Sequence, residues 1–377
     1  MSHIAMCGVP AVSHVLPSLD LIRELVLRGH RVTYANGTTV ADLIAPTGAT
    51  LVPIESTLPI ADNDWPDNPI GAMRVFLDDN IQALPQLHAY YDFDPADLYL
   101  YDIGCYAARA LAESQGQPIV QLSPTYVAWE DFAGTLPGAD GFGTVFSDWL
   151  AFNGATTTNW ETFMGRPSRA LALIPRAMQP FANQVDEQAV TFVGPCLGPR
   201  ESWTRPHGDD KVLLVSLGSA YTRQPEFYRQ CVAAFGNRRG WHAVLQIGKY
   251  VDRTELGAIP PNIDVQPWVP QLAILEHADA FITHAGMGSS SEALWTATPV
   301  IAVPQAVDQF TNADKLVELG VGRRLDAASA TAQILWQTLE ELTGNASVLA
   351  HSAQLRAEAR AEGGTARAAD ILEAILL

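Results

Sequence analysis

Short apolar runs of strand length alternate with stretches of helical periodicity along most of the chain. HIAMCGV (3–9) reads as a buried strand, LPSLDLIRELVLRGH (16–30) carries apolar residues at helical spacing and stops at Gly29, and RVTYANG (31–37) is a second strand. The alternation returns at DLYLYDIG (97–104), ALAESQG (110–116), PIVQLSP (118–124) and RALALIP (169–175). Near-continuous apolar strands separated by helices predict a largely parallel sheet covered by those helices. Between roughly 55 and 95, and again from 125 to 168, the pattern breaks into loops and short helices rich in Trp, Phe, Asp and Gly. Insertions of that kind shape pockets.

A second series starts after GPCLGPRESWTRPHGDD (194–210), whose density of Pro, Gly and charge reads as an interdomain linker. Its strands are KVLLVSLGS (211–219), WHAVLQIG (241–248), NIDVQPW (262–268), DAFITHAG (279–286) and TPVIAVP (298–304), with helices between them. The predicted class is α/β with two facing, doubly wound domains. Residues 1–194 form the first, 195–210 the linker and 211–364 the second, and a C-terminal helix over 365–377 is expected to pack back on the first. In such sheets ligands sit beyond the carboxyl ends of the strands, so the loops after each strand are the places to inspect.

Composition narrows the function. At 377 residues and 48% hydrophobic content the chain can bury two cores, since one core rarely grows beyond roughly 250 residues. Lys and Arg number 23 against 41 Asp and Glu, a net charge of −18 that repels nucleic acid polymers and anionic lipid surfaces. Cys7, Cys105, Cys196 and Cys231 are widely spaced without a CxxC, which points to reduced thiols rather than a zinc site or a disulfide framework. The first residues lack the basic start and long apolar core of a signal peptide, and no run reaches ~18 apolar residues, so a cytoplasmic protein with no membrane insertion is expected.

The strand FITH (281–284) runs into Ala285-Gly286-Met287-Gly288, and Ser289-Ser290-Ser291-Glu292 then starts a helix. Free amides and the positive end of the helix dipole suit a pyrophosphate, and the glycines let its oxygens approach. A plain turn with Ser as N-cap is the alternative. Ser219 stands at a second strand end and Trp268-Val269-Pro270-Gln271 at a third. An indole can stack on a base, Gln271 and Glu292 can bind ribose hydroxyls, and Asp308-Gln309 after VIAVP can bind the hydroxyls of an attached sugar. Core packing of Trp268 and N-capping by Asp308 of a helix over 309–319 are the simpler readings. Two further motifs are weak: Asp92-Phe93-Asp94 spells a metal-binding DxD without a companion cluster, and Gly286-Met287-Gly288 with Ser291 approaches a dinucleotide fingerprint on the wrong strand.

WVPQLAILEHADAFITHAGMGSSSEALWTATPVIAVPQAVDQFTNAD (268–314) resembles the donor signature of the UDP-glycosyltransferase superfamily, family 1 inverting enzymes of the GT-B fold, and especially its bacterial macrolide glucosyltransferases. The likeness runs the whole length through ESTLP, DDNIQALPQL, LSPTYVAW, TFVGP, LVSLGSA, LQIG and EGGTARAADILEA. It implies two Rossmann-like domains around a substrate cleft, with His14 in Ser13-His14-Val15-Leu16-Pro17 as general base on an N-terminal loop and Asp102 as its partner. The chain departs from the family pattern at Ser13, where Gly is usual, and at Val12, where another His is frequent. By the same resemblance Ser219, His284, Gly288, Ser289 and Ser290 contact the diphosphate, Trp268 stacks on uracil, Gln271 and Glu292 bind ribose, and Asp308 and Gln309 hold glucose. UDP-glucose is then the co-substrate, no metal or other cofactor is expected, and the partner is a small hydroxyl-bearing acceptor: a macrolide or other polyketide, a phenolic or a nucleoside. A dTDP-deoxysugar donor, or a noncatalytic auxiliary role, is the alternative. The stretch TLPGADGFGTVFSDWLAFNG within 125–168 is shorter than the macrolide enzymes' counterpart, which leaves the acceptor open.

Overall fold

The two series of runs build two parallel sheets in the computed structural model, which describes residues 1–60, 64–130, 141–198, 202–206 and 208–377. The first has seven strands: β1 (His3–Cys7), β2 (Arg31–Asn36), β3 (Thr50–Pro53), β4 (Leu98–Asp102), β5 (Ile119–Ser123), β6 (Ala170–Ala172) and β7 (Val190–Phe192), in the order β3-β2-β1-β4-β5-β6-β7. The second has six: β8 (Lys211–Ser216), β9 (Trp241–Gln246), β10 (Ile263–Gln266), β11 (Ala280–Thr283), β12 (Val300–Ala302) and β13 (Gly322–Arg324), in the order β10-β9-β8-β11-β12-β13. Each order reverses once, between β1 and β4 and between β8 and β11. At such a reversal the loops leave in opposite directions and open a crevice for ligand.

Alternation along the strands divides the core of the first unit. Ile4 and Met6 of β1 pack with Val32, Tyr34, Leu98 and Leu100, whereas Ala5 and Cys7 join Ala35, Tyr99 and Tyr101 on the opposite face. Both faces are covered, which is why β1 reads as an unbroken apolar run. All four cysteines are free thiols, and burial pushes the Cys7 thiol up to about 12, so it packs as a small apolar group.

The chain divides into two compact units, Met1–Gly198 with Glu362–Leu377, and Pro199–Ala361. The C-terminal helix Gly364–Ile375 sets Ala368, Ala369 and Leu372 into the core that contains Ile22 and Leu25. The stretch read as a linker is tied down at both ends: the Gly198 amide donates to Asp20, while Trp203 packs on His277 and Arg205 donates to the carbonyls of Asp210 and His277. Among the described residues no helix is long and apolar enough to cross a membrane.

Two local expectations change. Residues 69–91 form one long helix, Pro69–Tyr91, where loops and short helices were expected, and the helix expected from Leu16 begins at Val12 (Val12–Leu27). In each a proline hides the continuation, because it removes an amide donor and argues for a boundary. Pro85 lies on the exposed side of its helix, and Pro17 frees the carbonyl of Ser13, an exposed residue; water can satisfy both. Of the segment expected to wall an acceptor cleft, helices Phe142–Phe152 and Trp160–Gly165 are in place, and 131–140 lie outside the described residues.

Candidate active site

The reversal between β1 and β4 brings His14 to Asp102. The early start of the first helix puts His14 in its first turn rather than on a loop, so backbone hydrogen bonds hold it. Ser13 is helical there, a conformation that requires no glycine. His14 Nδ1 lies 3.0 and 2.9 Å from the two carboxylate oxygens of Asp102, whose side chain is 2% exposed against 27% for His14. A carboxylate so placed selects the tautomer with the proton on Nδ1 and stabilises an imidazolium if one forms. The imidazole borders a cavity of about 200 Å³ whose wall is largely apolar, with Phe76, Ile103, Tyr106, Tyr126 and Met164 in it. Gly104 closes the pair from behind. Its amide donates to Asp102 Oδ1 at 2.9 Å, and a Cβ there would lie 2.9 Å from Val9 Cγ2.

In the second unit the reversal gathers the turn after β11 and the loop after β8. The helix begins at Met287, two residues before Ser289, so the amides without an intrahelical partner are those of Met287, Gly288 and Ser289, while Ser290 N–H already bonds the Gly286 carbonyl. Gly288 is exposed, and a Cβ there would meet nothing within 4 Å, whereas Ser290 is fully buried with its hydroxyl unpaired. No serine caps the helix; Gly286 stands at the N-cap.

The His284 ring is packed between two glycines. A Cβ on Gly218 would come within 2.6 Å of its Cε1, and one on Gly286 within 2.4 Å of its Nε2. Gly218 also holds φ at +76°, a region that favours glycine. Burial pushes the imidazole down to about 4 against the pull of its hydrogen bond to the Ser216 carbonyl, so the ring is neutral near pH 7. Ser219, just beyond Gly218, is exposed.

Trp268 follows β10 and is 61% exposed, so it is not core. Gln271 Nε2 donates to Glu292 Oε2 at 2.7 Å and to Ser289 Oγ at 3.1 Å, which joins the two residues expected at a ribose and fixes them beside the turn. After β12, the Asp308 carboxylate is exposed and accepts from Asn312 Nδ2 at 3.1 Å instead of capping the helix Gln309–Glu318. Gln309 is buried. Its Oε1 accepts the Gln305 and Ala306 amides, so its carbonyl shapes the loop and only its NH₂ is left to offer a ligand.

Two polar residues that the sequence did not single out organise these loops. Gln246, 3% exposed at the end of β9, donates to Ser216 Oγ and the Gly218 carbonyl and accepts the Val269 amide, so one side chain ties the loop after β8 to the one bearing Trp268. Asn312 donates to the Ala285 carbonyl as well as to Asp308, which links the turn after β11 to the loop after β12. A buried amide at the end of an apolar strand was the available signal for Gln246; Asn312 carried none. The DxD is dispersed into separate pairs: Asp92 accepts from His88 and Gln115, and Asp94 is bidentate with Arg31. Among the described residues no group of three or more His, Cys, Asp or Glu gathers where it could hold a metal.

Comparison with known proteins places this geometry. Residues 243–375 match the family described as erythromycin biosynthesis protein CIII-like, C-terminal domain. Oleandomycin glycosyltransferase of Streptomyces antibioticus is 51% identical over 392 aligned residues, covering 100% of this chain and 91% of its own. Demethyllactenocin mycarosyltransferase of Streptomyces fradiae is 30% identical, covering 100% and 87%. The solved structure of the glycotransferase of kitacinnamycin superposes with a TM-score of 0.90 at 46% identity, covering 100% of this chain and 99% of that one. Sequence shared from end to end, carried on the same pair of parallel sheets, makes this chain a member of glycosyltransferase family 1 with the GT-B fold.

Proposed function

We propose that the protein transfers a hexose, with inversion, from a nucleoside diphosphate sugar to a hydroxyl of a small natural product, and that UDP-glucose is the donor. The observation that carries this reading is the two-oxygen contact of Asp102 with His14 Nδ1 beside an apolar cavity. Asp102 holds the tautomer with its proton on Nδ1, so the lone pair that takes the acceptor's proton is on Nε2, and Asp102 compensates the charge that appears on the ring. The acceptor oxygen attacks the anomeric carbon from the face opposite the nucleotide, and the C–O bond to the diphosphate breaks. The electron pair leaves on the diphosphate, where the Met287, Gly288 and Ser289 amides and the helix dipole stabilise it. Trp268 stacks on uracil, Gln271 and Glu292 bind the ribose, Ser219 and His284 complete the diphosphate site, and Asp308 with the Gln309 NH₂ binds glucose. The apolar cavity wall favours a largely hydrophobic acceptor, such as a macrolide or other polyketide, or a phenolic, over a nucleoside. A dTDP-deoxysugar donor is the competing reading, favoured by the likeness to a mycarosyltransferase.

The deciding experiment incubates the purified chain with UDP-glucose or a dTDP-deoxysugar and macrolide, phenolic and nucleoside acceptors, with products read by mass. A hexosyl adduct from UDP-glucose with β configuration is expected; transfer only from the deoxysugar, or an α product, would overturn the donor or the mechanism. Because amides and a helix dipole receive the charge, EDTA should leave the rate unchanged, and inactivation reversed by manganese would contradict this.

Asp308 supplies a second check. Asp308→Ala removes one charge-assisted hydrogen bond to the sugar, so transfer from UDP-glucose should fall roughly tenfold, while the affinity for UDP itself stays the same. An equal loss of UDP affinity would place the sugar at the wrong strand end.

A further inference from the structure

We propose that Asn80 is a positioning residue for the His14–Asp102 pair, an inference that rests on His14 acting as the base. Asn80 lies midway along the helix Pro69–Tyr91 and is 3% exposed. Its amide bonds its own helix, the loop that follows Asp102 and the start of the next helix. Nδ2 donates to the Gly104 carbonyl at 2.8 Å and to the Phe76 carbonyl at 2.8 Å, and Oδ1 accepts the Ala107 amide at 2.8 Å.

These contacts fill a gap in the local structure. Ala107 is in the first turn of the helix Tyr106–Gln115, whose N-cap is Cys105, a side chain that makes no capping bond. The missing acceptor comes from Asn80 on a different helix. The same side chain holds the Gly104 carbonyl, and the amide of that residue, one peptide earlier, donates to Asp102 Oδ1 at 2.9 Å, while Asp102 in turn holds both oxygens on His14 Nδ1. Asn80, Gly104, Asp102 and His14 therefore form one hydrogen-bonded series. Tight packing keeps Gly104 in line, since a Cβ there would lie 3.1 Å from Phe76 Cε1.

Filling the core would not require this chemistry, because an apolar side chain at a buried helical position packs without any loop contacts. The adjacent Asp79 follows the same plan at the end of an edge strand: its Oδ1 accepts from Ser56 Oγ, the Thr57 amide and Thr57 Oγ1 in the loop after β3. One helix thus anchors two strand-end loops through consecutive side chains.

The test uses Asn80→Ala and Asn80→Asp in the full chain, with His14→Ala and Asp102→Asn as references and transfer kinetics as readout. Asn80→Asp keeps an acceptor for the Ala107 amide and loses the donations to the Gly104 and Phe76 carbonyls, so it carries the test if Asn80→Ala fails to fold. A misaligned base is expected to lower kcat roughly 5–50-fold, with the KM for UDP-sugar changed by less than about twofold because donor contacts are untouched. On the His14→Ala background, where no base is left to misalign, adding Asn80→Asp should lower the residual kcat by less than about twofold. A purely structural asparagine would give the same loss on both backgrounds. That result, or wild-type kcat in a folded Asn80→Asp protein, overturns the proposal. Wild-type kcat in His14→Ala sinks the base assignment and this inference together, whereas loss in His14→Ala alone sinks only the role of Asn80.

Discussion

His14→Ala is expected to lower kcat by roughly 10²–10⁴-fold, the range spanned by loss of a positioned general base. Alanine leaves the acceptor oxygen protonated at the moment of attack, and the buried Asp102 carboxylate has no second route to it, since His14 stands between Asp102 and the cavity. Affinity for UDP should stay within about twofold of wild type, because the loss is confined to transition-state stabilisation. Asp102→Asn should be milder: its amide oxygen can still accept from Nδ1, so orientation survives and only the charge compensation is lost. Turnover at the wild-type rate in His14→Ala would end the assignment.

The next largest effect is expected on donor binding. Trp268→Ala should weaken UDP binding by about 1–3 kcal/mol, roughly 5–150-fold in Kd, as for other stacked bases. Trp268 is 61% exposed, yet the adjoining Val269 amide is pinned by Gln246, so the backbone below the indole is held while its face stays open. An exposed indole on a fixed backbone binds a planar base at small entropic cost. Calorimetry with UDP measures the effect directly. A Kd within about twofold of wild type would show that the base is held by another group.

The likeness to family 1 in the sequence already pointed to the fold that the structure and the comparisons show, and the alternation of apolar runs independently called for parallel sheets. What it obscured were boundaries at prolines. Pro85 disguised the helix Pro69–Tyr91, and with it the position of Asn80 and Asp79; Pro17 disguised the helical setting of His14. The serine-rich turn was legible as a helix start, but its register was not. Starting the helix at Met287 rather than Ser289 changes which amides are free.

By itself the sequence determined the class of fold, the ends of ten of the thirteen strands and the kinds of side chain placed there, because these depend on local periodicity and on residues close together in the chain. It did not reveal the short edge strands β3, β7 and β13. Only the tertiary structure decided which of those ends meet. His14 and Asp102 are 88 positions apart and touch because β4 lies beside β1, an adjacency that follows from strand order and that no local pattern encodes. Gly218 and Gly286 look like ordinary turn glycines until the His284 ring is found between them. Gln246 and Asn312 have meaning only as bridges between loops from different strands. Local propensity acts over a few residues, whereas the arrangement of a site is set by which distant segments the buried cores bring into contact.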